Sequence, residues 1–284
     1  MAVIESLAMY PMAGARVIPV EISELSPAGL VYDREYVAYD PDTMKRVSAK
    51  PGAAPKLMQI QPRVSSLTSK LDVYDADTGM VVDVFDLSPY SGSSVFRQTI
   101  EIDEFGQQTP WLDMGEEPAD FLSDFLHKNV RMAHRDTFWQ EGGLIDPHLR
   151  TVAPLHIISR ASCNAVAEML GADGDLAPRF RPNIVIDGVE AFEEMHWQSL
   201  SVRGLAIAVH RPTARCAMTG LDPLTGKNLR DIPNIFSQLP QMTTQDGKLA
   251  RAFGVYAYPE LGLGERSFLS AGDEIEIKYL KTSR

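Results

Sequence analysis

The stretch His210 to Gly220 reads H-R-P-T-A-R-C-A-M-T-G, and it places a cysteine directly after an arginine at the end of an apolar strand pattern. A thiol can pack as a small hydrophobic side chain, but a neighbouring guanidinium favours the thiolate, which is the nucleophile and metal ligand. Cys216 is therefore the first candidate functional residue. Taken alone, the stretch leaves open a buried structural thiol with Arg215 turned to solvent.

Strand patterns surround this stretch and dominate both ends of the chain. Apolar residues alternate through L-S-V-R-G-L-A-I-A-V-H (200–210), where Arg203-Gly204 is typical of a hairpin turn. A last strand is predicted in D-E-I-E-I-K-Y (273–279), and L-D-V-Y-D-A-D-T-G-M-V-V-D-V-F (71–85) predicts two strands around a turn. The sequence therefore predicts a mainly β protein of the α+β class.

Two segments have helical spacing instead. Residues 117–128 carry a hydrophobic stripe with acidic residues first and a lysine last, so this helix is a plausible junction between domains 1–116 and 117–284. A second helix is predicted for 159–170, with Ser159 as the N-cap and Gly171 after the end. Cys163 lies on its apolar face, so we expect it to pack in the core. A polar stretch, 136–150, separates the two helices.

Composition narrows the classes of function. The 284 residues are 44% hydrophobic and carry a net charge of -11, which argues against nucleic acid and anionic membranes as partners. The sequence has no apolar run of about 20 residues, no signal-peptide pattern at its start and only two cysteines, so we expect a cytoplasmic protein without a disulfide framework. Phosphate-loop, zinc-protease and paired-cysteine motifs are missing, so a zinc or non-haem iron site would need ligands from distant segments.

Three ordered motifs resemble the core of the MOSC family, named for the C-terminal domain of molybdenum cofactor sulfurase. They are F-R-P-N-I-V-I-D-G (180–188), R-P-T-A-R-C-A-M-T-G-L-D-P-L-T-G (211–226) and F-G-V-Y-A (253–257). The runs Y-P-M-A-G-A-R-V-I-P-V (10–20) and G-L-V-Y-D-R-E-Y-V-A-Y-D (29–40) resemble the domain that precedes MOSC in the mitochondrial amidoxime-reducing component and its bacterial relatives. The resemblance implies an N-terminal β-barrel-like domain followed by a MOSC β-barrel with a few helices.

The resemblance also implies a cofactor site. The family's cofactor is molybdopterin, an anionic pterin that holds molybdenum through sulfur, and Cys216 matches the cysteine that ligates the metal. The matching cofactor-binding residues are Arg34, Arg181, Asn183, Arg215 and Tyr256. Guanidinium groups suit phosphate and polar pterin edges, and an amide offers both a donor and an acceptor to a heterocycle. Pyridoxal phosphate binding is a further expectation of the resemblance.

Several positions depart from the family pattern. Ala13 stands where the reductases have a lysine that reaches the cofactor, and Ala214 replaces a small polar residue before Arg215-Cys216. Arg16 is a candidate to replace the missing cation. The segment S-A-K-P-G-A-A-P-K (48–56) also differs from the usual arginine-rich loop. We therefore expect weak cofactor retention and an altered substrate, and we expect Asp222 and Gly226 to form a turn rather than to touch the metal.

The function implied by the resemblance is a molybdenum-cofactor-dependent reductase of small N-hydroxylated substrates. Two cysteines are too few for an iron–sulfur cluster, so electrons would come from a separate protein of ferredoxin or flavoprotein type. One alternative is a sulfur or molybdenum-cofactor carrier that uses Cys216. Another is a MOSC-fold binding module that has lost the cofactor.

Overall fold

The computed structural model describes residues 1–64, 69–88, 98–104, 106–135, 153–229, 237, 239–243, 249–262 and 264–280, and it confirms a mainly β protein. The described residues before 136 form strands β1 (Ala2–Met9), β2 (Ile18–Val20), β3 (Ile22–Ser26), β4 (Gly29–Leu30), β5 (Tyr36–Asp40), β6 (Lys45–Arg46), β7 (Ile60–Val64), β8 (Ser69–Tyr74), β9 (Val81–Asp86), β10 (Thr99–Glu104), β11 (Gln107–Asp113) and β12 (Arg131–Arg135). Those after 152 form β13 (Leu155–Ser159), β14 (Ile184–Asp187), β15 (Trp197–Val202), β16 (Leu205–Ala214), β17 (Gln241–Thr243), β18 (Leu249–Pro259), β19 (Ser267–Ser270) and β20 (Glu274–Tyr279).

The largest sheet closes on itself. Its strands follow the order β13-β14-β1-β20-β15-β16-β18, and β18 pairs back to β13, while β2 and β17 attach to β1 and β18. The first strand of the chain pairs with two late strands through Ile4 opposite Ile186 and Ala2 opposite Ile275. The start of the chain therefore helps to build the sheet that carries the C-terminal motifs. The division at residues 116 and 117 stays a prediction.

Apolar residues from these strands fill one side of the closed sheet. Leu7, Leu155, Ile157, Ile207 and Val255 belong to one buried cluster. Successive residues of a strand point to opposite faces, so His156 lies on the other face of β13. That outer face carries the candidate site.

A second barrel is formed by β10, β11, β12, β5 and β6. Its buried apolar cluster consists of Ala13, Val37, Tyr39, Ile102, Trp111 and Ala133. Two three-stranded sheets complete the described strands: β7-β8-β9, and β19-β3-β4, which joins the two ends of the chain. The second of these positions the residues that follow β4.

The predicted helices are confirmed. Helix α1 spans Glu116–Leu126, α2 spans Arg160–Leu170 and a short α3 spans Ala177–Phe180. The Ser159 hydroxyl accepts the Ser162 N–H at 3.0 Å at the start of α2, and Gly171 ends it with φ of 58°. Cys163 is buried in the core, where burial raises the pKa of its thiol to about 12. None of the described helices is long and apolar enough to cross a membrane.

The predicted hairpins are also present. Val202 pairs with Leu205 across Arg203-Gly204, both of which have positive φ angles, of 50° and 80°. Strands β8 and β9 pair around a turn in which the Asp75 carboxylate accepts the Thr78 N–H at 2.7 Å. Three short 3₁₀ turns, Pro55–Gln59, Glu193–His196 and Ala217–Gly220, connect other elements. The polar stretch 136–150 lies outside the described residues.

Gly254 allows β18 to approach β13 closely. Its φ is 73°, and a Cβ there would lie 2.5 Å from Ile158 Cγ2, 2.6 Å from the Ile157 carbonyl oxygen and 2.7 Å from His156 Nε2. The Ile157 carbonyl belongs to the backbone of β13, and the His156 ring is buried and hydrogen-bonded, so the space cannot open without displacing a strand. The closure of the barrel therefore requires glycine at this position.

We expect Gly254→Ala to lower the free energy of unfolding by about 3 kcal/mol, because it adds both left-handed backbone strain and overpacking. Gly204→Ala is the matched control, since Gly204 also has a positive φ but no atom lies within 4 Å of its Cβ position. The control should cost about 1 kcal/mol. Urea unfolding of both variants measures the difference, and equal costs would contradict the close approach of β18 to β13.

Candidate functional site

Arg34 enters the site from the turn after β4. Its backbone has a φ of 54°, in the left-handed region, and its guanidinium pairs with the buried carboxylate of Asp33. Nη1 also donates to the Asn183 side-chain oxygen at 3.1 Å, although the two residues lie 149 positions apart. The Asp33 carboxylate accepts the Tyr10 N–H at 2.7 Å. Asp33 therefore anchors both Arg34 and the backbone that leads into the Y-P-M-A-G run.

The aromatic ring of Tyr10 contacts the guanidinium groups of two arginines. The guanidinium carbon of Arg181 lies 4.2 Å from the centre of its ring, and that of Arg34 lies 5.6 Å away, both in cation–π contact. Burial raises the pKa of Tyr10 to about 12, against the opposing charges of Arg181 and Arg34. Its hydroxyl is buried and has no hydrogen-bond partner among the described residues. Such an orphaned donor is available to a ligand.

Arg181 and Asn183 approach from the turn between α3 and β14. Arg181 has a φ of 56°, and burial lowers the pKa of its guanidinium to about 10. Among the described residues it has no ion-pair partner. Asn183 is fully buried, donates to the Ala8 carbonyl at 3.2 Å and accepts the His156 N–H at 3.1 Å. The asparagine amide thus ties β1 and β13 to the arginines.

Arg215 closes the opposite side. Nη2 donates to the Phe180 carbonyl at 2.6 Å, and Nη1 lies 3.4 Å from His156 Nε2. Its Nε is buried, and no hydrogen-bond partner for it lies in the part of the chain that the structure describes. Burial lowers the pKa of the Arg215 guanidinium, while Tyr256 and Cys216 act in the opposite direction. Arg215 is therefore a desolvated cation with one N–H free for a ligand.

Cys216 follows Arg215 directly and is exposed, so the interpretation of it as a buried structural thiol is wrong. It begins the turn Ala217–Gly220, and its carbonyl accepts from the Thr219 N–H and hydroxyl, both at 3.2 Å. Cys216 is therefore accessible and is joined through the backbone to Arg215, whose guanidinium contacts His156.

Tyr256 lies beside residues of the two strands that pair with β18. It pairs in register with His156 on β13 and with Arg211 on β16. The rings of His156 and Tyr256 are 5.8 Å apart between centroids, and the Arg211 guanidinium carbon lies 5.9 Å from the Tyr256 ring. Burial raises the pKa of Tyr256, and the charges of Arg215, Arg34 and Arg211 oppose this.

The structure thus brings together all six residues singled out in the sequence, from segments up to 222 positions apart. We call the arginine cluster the set Tyr10, Asp33, Arg34, His156, Arg181, Asn183, Arg215, Cys216 and Tyr256. It contains three guanidinium groups and one carboxylate, that of Asp33, which pairs with Arg34, so the cluster is positively charged in a chain of net charge -11. Such a cluster, with orphaned donors on Tyr10 and Arg215, suits an anionic ligand.

Sequence reasoning missed Tyr10, Asp33 and His156. Tyr10 and Asp33 stand inside runs already quoted for their resemblance, directly before Pro11 and Arg34. His156 carried no such signal, because nothing near it in sequence indicates that β13 lies between β14 and β18. Three or more histidine, cysteine or carboxylate side chains do not cluster as a metal site anywhere in the described residues.

The turn after Cys216 is confirmed and lies against the N-terminal half. The Asp222 carboxylate accepts the Leu224 and Thr225 N–H groups at 3.0 and 2.8 Å, and a Cβ on Gly226 would lie 2.2 Å from the Pro55 carbonyl oxygen. The Arg16 guanidinium donates to the Leu224 carbonyl at 2.8 Å. Arg16 therefore holds this turn, and the expectation that it replaces a cofactor-binding cation is not supported.

The two alanines that depart from the family pattern lie in different surroundings. Ala214 is exposed at the end of β16. Ala13 is only 4% exposed and packs among Val37, Tyr39 and Trp111 in the core of the second barrel. The side chain of a lysine at position 13 would therefore begin inside that apolar cluster.

We expect Ala13→Lys to lower the free energy of unfolding by about 3 kcal/mol, because an unpaired ammonium would be buried among apolar side chains. Ala214→Lys is the control, since an exposed charge should change stability by less than about 0.5 kcal/mol. Chemical denaturation of the two variants distinguishes the sites. A stable Ala13→Lys protein with increased anion affinity would show that position 13 reaches the arginine cluster after all.

Comparison with known proteins identifies two domains in this chain. Residues 145–276 match the model of the MOSC domain, and residues 1–129 match that of the MOSC N-terminal beta barrel domain. Molybdenum cofactor sulfurase from Bos taurus is 25% identical over 96% of this chain, and the Danio rerio protein of that name is 28% identical over 88%. The chain spans about a third of their length, 32% and 31% respectively.

A solved structure, the YUAD protein from Bacillus subtilis, overlaps 99% of this chain and 98% of its own at 11% identity. Its TM-score of 0.41 is too low to support an argument. The two domain matches together span both halves of the chain and every residue of the arginine cluster. The chain therefore belongs to the MOSC family, with a MOSC N-terminal β-barrel domain before its MOSC domain.

Proposed function

We propose that the chain binds the molybdenum cofactor at the arginine cluster and uses it to reduce small N-hydroxylated substrates. The observation that carries the proposal is that Arg34, Arg181 and Arg215 lie around Asn183, Tyr10 and His156, and that the exposed Cys216 follows Arg215 directly. Partly buried cations such as Arg181 and Arg215, which have no carboxylate partner among the described residues, are costly unless a ligand neutralises them. A cofactor with an anionic phosphate and a sulfur-bound metal supplies that neutralisation.

Each part of the cluster has a role that its chemistry supports. Arg181 and Arg215 are desolvated and offer N–H groups to phosphate or pterin oxygens, and the orphaned Nε of Arg215 is one such donor. Asn183 holds Arg34 by its side-chain oxygen, so these two residues orient each other. Cys216 is the accessible soft ligand for the metal. The cofactor, when bound, supplies the two-electron redox chemistry that these side chains lack.

Reduction of an N-hydroxylated substrate consumes two electrons and two protons and releases the amine and water. This chain holds only two cysteines, one buried and one assigned to the metal, so a separate electron-transfer protein of ferredoxin or flavoprotein type supplies the electrons. The exposure of Cys216 leaves room for a small substrate beside it. The segment 48–56, which departs from the reductase pattern, supports a substrate different from that of the relatives.

The relatives favour a second candidate. They are named molybdenum cofactor sulfurase, and the exposed thiol of Cys216 would suit a carrier of sulfur or of the cofactor. In that function Cys216 would hold a persulfide or release the cofactor to a client enzyme, and turnover of N-hydroxylated substrates would be absent. Steady-state reduction with an electron donor distinguishes the two candidates.

Two other expectations have less support. Ala13 and Ala214 motivate the alternative in which the cofactor is lost, but Ala13 packs in the core of the second barrel with Val37, Tyr39 and Trp111. Pyridoxal phosphate is ordinarily held through a lysine amine, and no member of the arginine cluster is a lysine. The cluster therefore favours the molybdenum cofactor.

Replacement of Cys216 by alanine tests the metal ligand. We expect Cys216→Ala, purified from a host that makes the cofactor, to lose bound molybdenum and all reductase activity, because the soft donor is removed. Its stability should change by less than about 0.5 kcal/mol, since the side chain is exposed.

Cys163→Ala is the matched control and should show the opposite pattern. It removes a buried sulfur from the core and should cost about 1 kcal/mol of stability, with molybdenum content unchanged. Molybdenum per chain by elemental analysis, pterin fluorescence and urea unfolding are measured on both variants. Full molybdenum and full activity in Cys216→Ala would refute the proposal.

The electron source gives an independent prediction. The loaded chain alone, mixed with NADH and an amidoxime, should show no turnover, and a reduced ferredoxin or flavoprotein should start it. Chemically reduced viologen serves as the positive control for a functional cofactor. Turnover with NADH alone, at a rate that added partners leave unchanged, would show that no separate protein is needed.

A further inference from the structure

His156 contacts both of the arginines that lack a carboxylate partner within the described part of the chain. Its Nδ1 lies 3.3 Å from the Arg181 carbonyl oxygen, and its Nε2 lies 3.4 Å from Nη1 of Arg215. The residue is only 3% exposed, and its own backbone exchanges hydrogen bonds with Asn183. The titratable ring of His156 thus joins two cations, and cofactor binding as described above does not explain why a histidine lies there.

The neighbours of the two ring nitrogens select one tautomer. A carbonyl can only accept a hydrogen bond and a guanidinium can only donate, so Nδ1–H donates to Arg181 and the bare Nε2 accepts from Arg215. The other tautomer would place Nε2–H toward Phe253, whose carbonyl oxygen is 3.2 Å away. It would also leave a bare Nδ1 facing the Arg181 carbonyl and Nε2–H facing the Arg215 N–H. The first tautomer avoids both repulsive contacts and has one of its own, between the bare Nε2 and the Phe253 carbonyl oxygen.

We propose that His156 is the positioning residue of the arginine cluster: as a neutral ring it holds the backbone of Arg181 and the side chain of Arg215, and so aims both guanidinium groups at one anionic ligand. The proposal rests on the proposed function for the identity of that ligand. Arg181 needs such support because its backbone φ of 56° is unfavourable for any residue other than glycine. A hydrogen bond to its carbonyl helps to hold that conformation.

The surroundings keep the ring neutral. Burial is the main reason that the pKa of His156 lies well below its usual value, and the charges of Arg215 and Arg34 lower it further. The carbonyls of Arg181 and Phe253 act in the opposite direction without compensating. The Tyr256 ring on β18 lies 5.8 Å from the His156 ring between centroids, and Asn183, before β14, is bonded to the His156 backbone rather than to its ring. Protonation would turn Nε2 into a donor, transfer it to the Phe253 carbonyl and release Arg215.

Four variants of the full chain, expressed in a host that makes the cofactor, test the proposal through the rate at which bound molybdenum is lost on dilution. We expect His156→Leu to lose molybdenum at least about tenfold faster than the parent, as removal of partners that orient a metal site commonly does. His156→Gln should stay close to the parent, because its amide can accept from Arg215 and donate to Arg181. His210→Leu is the matched control and should match the parent, because His210 lies on β16, which ends just before Arg215, and its ring packs against Tyr258. Arg215→Ala shows the size of the effect when the guanidinium itself is removed.

Two results would overturn the positioning role. One is a His156→Leu protein that is folded and keeps molybdenum as well as the parent. The other is equal loss in His156→Leu and His156→Gln, which would mean that the ring acts by packing rather than by its hydrogen bonds. Thermal unfolding of each variant shows whether a loss reflects unfolding.

A measurement on the cofactor-free chain separates this proposal from the proposed function. The ring nitrogens of His156, observed by ¹⁵N NMR, should show a neutral ring with the proton on Nδ1 at pH 7, and Arg215→Ala should weaken that preference. A proton on Nε2, or no response to Arg215→Ala, would overturn the role of His156 whether or not the chain binds molybdenum. Absence of molybdenum from the parent, with the expected NMR result, would refute the proposed function and leave the positioning role intact.

Discussion

The pairing of β13 with both β14 and β18 is the constraint on which the barrel and the site depend. This pairing closes the large sheet. Its register also fixes which polar residues of the three strands lie side by side on the outer face. Asn183 comes just before β14, His156 lies on β13 and Tyr256 lies opposite it on β18. A shift of one residue in this register would turn His156 into the apolar interior and remove the link between Arg181 and Arg215.

The fold holds the site residues in backbone conformations and surroundings that are unfavourable while no ligand is bound. Arg34 and Arg181 both adopt left-handed backbone conformations, which cost about 1 to 2 kcal/mol each for residues with a side chain. Burial also lowers the pKa of Arg181 and Arg215, a sign that their charged forms are less favourable than in water. Strain and desolvation concentrated at one place are typical of a site that binds a ligand of opposite charge.

Local features of the sequence were sufficient for the helices and hairpins. Ser159 and Gly171 mark the ends of α2, Arg203-Gly204 marks a turn, and Cys163 follows the apolar stripe. These predictions rest on residues a few positions apart, where caps and periodicity decide the structure. Resemblance to the MOSC family supplied the six site residues, whereas composition and spacing alone would have supplied only Cys216 and Arg215.

Local sequence patterns did not predict which distant strands pair with each other. Nothing in the first ten residues indicates that β1 pairs with strands near residues 186 and 275, and nothing near Ala13 shows that it packs against Trp111. The role of His156 depends on two neighbours, Arg181 and Arg215, that reach it from different elements. Sequence position alone does not reveal such a contact, since the register of a closed sheet is set by all of its strands together.

The arginine cluster also depends on both ends of the chain. Arg34 follows β4, which pairs with β3, and β3 pairs in turn with β19 more than 240 positions later. The turn after Cys216 packs against the carbonyl of Pro55 and is held by Arg16, which come from the first 60 residues. A ligand that contacts Arg34, Arg181 and Cys216 at once therefore bridges segments that unfolding would separate. Its binding free energy adds to the stability of the whole barrel, because only the folded chain offers all three contacts.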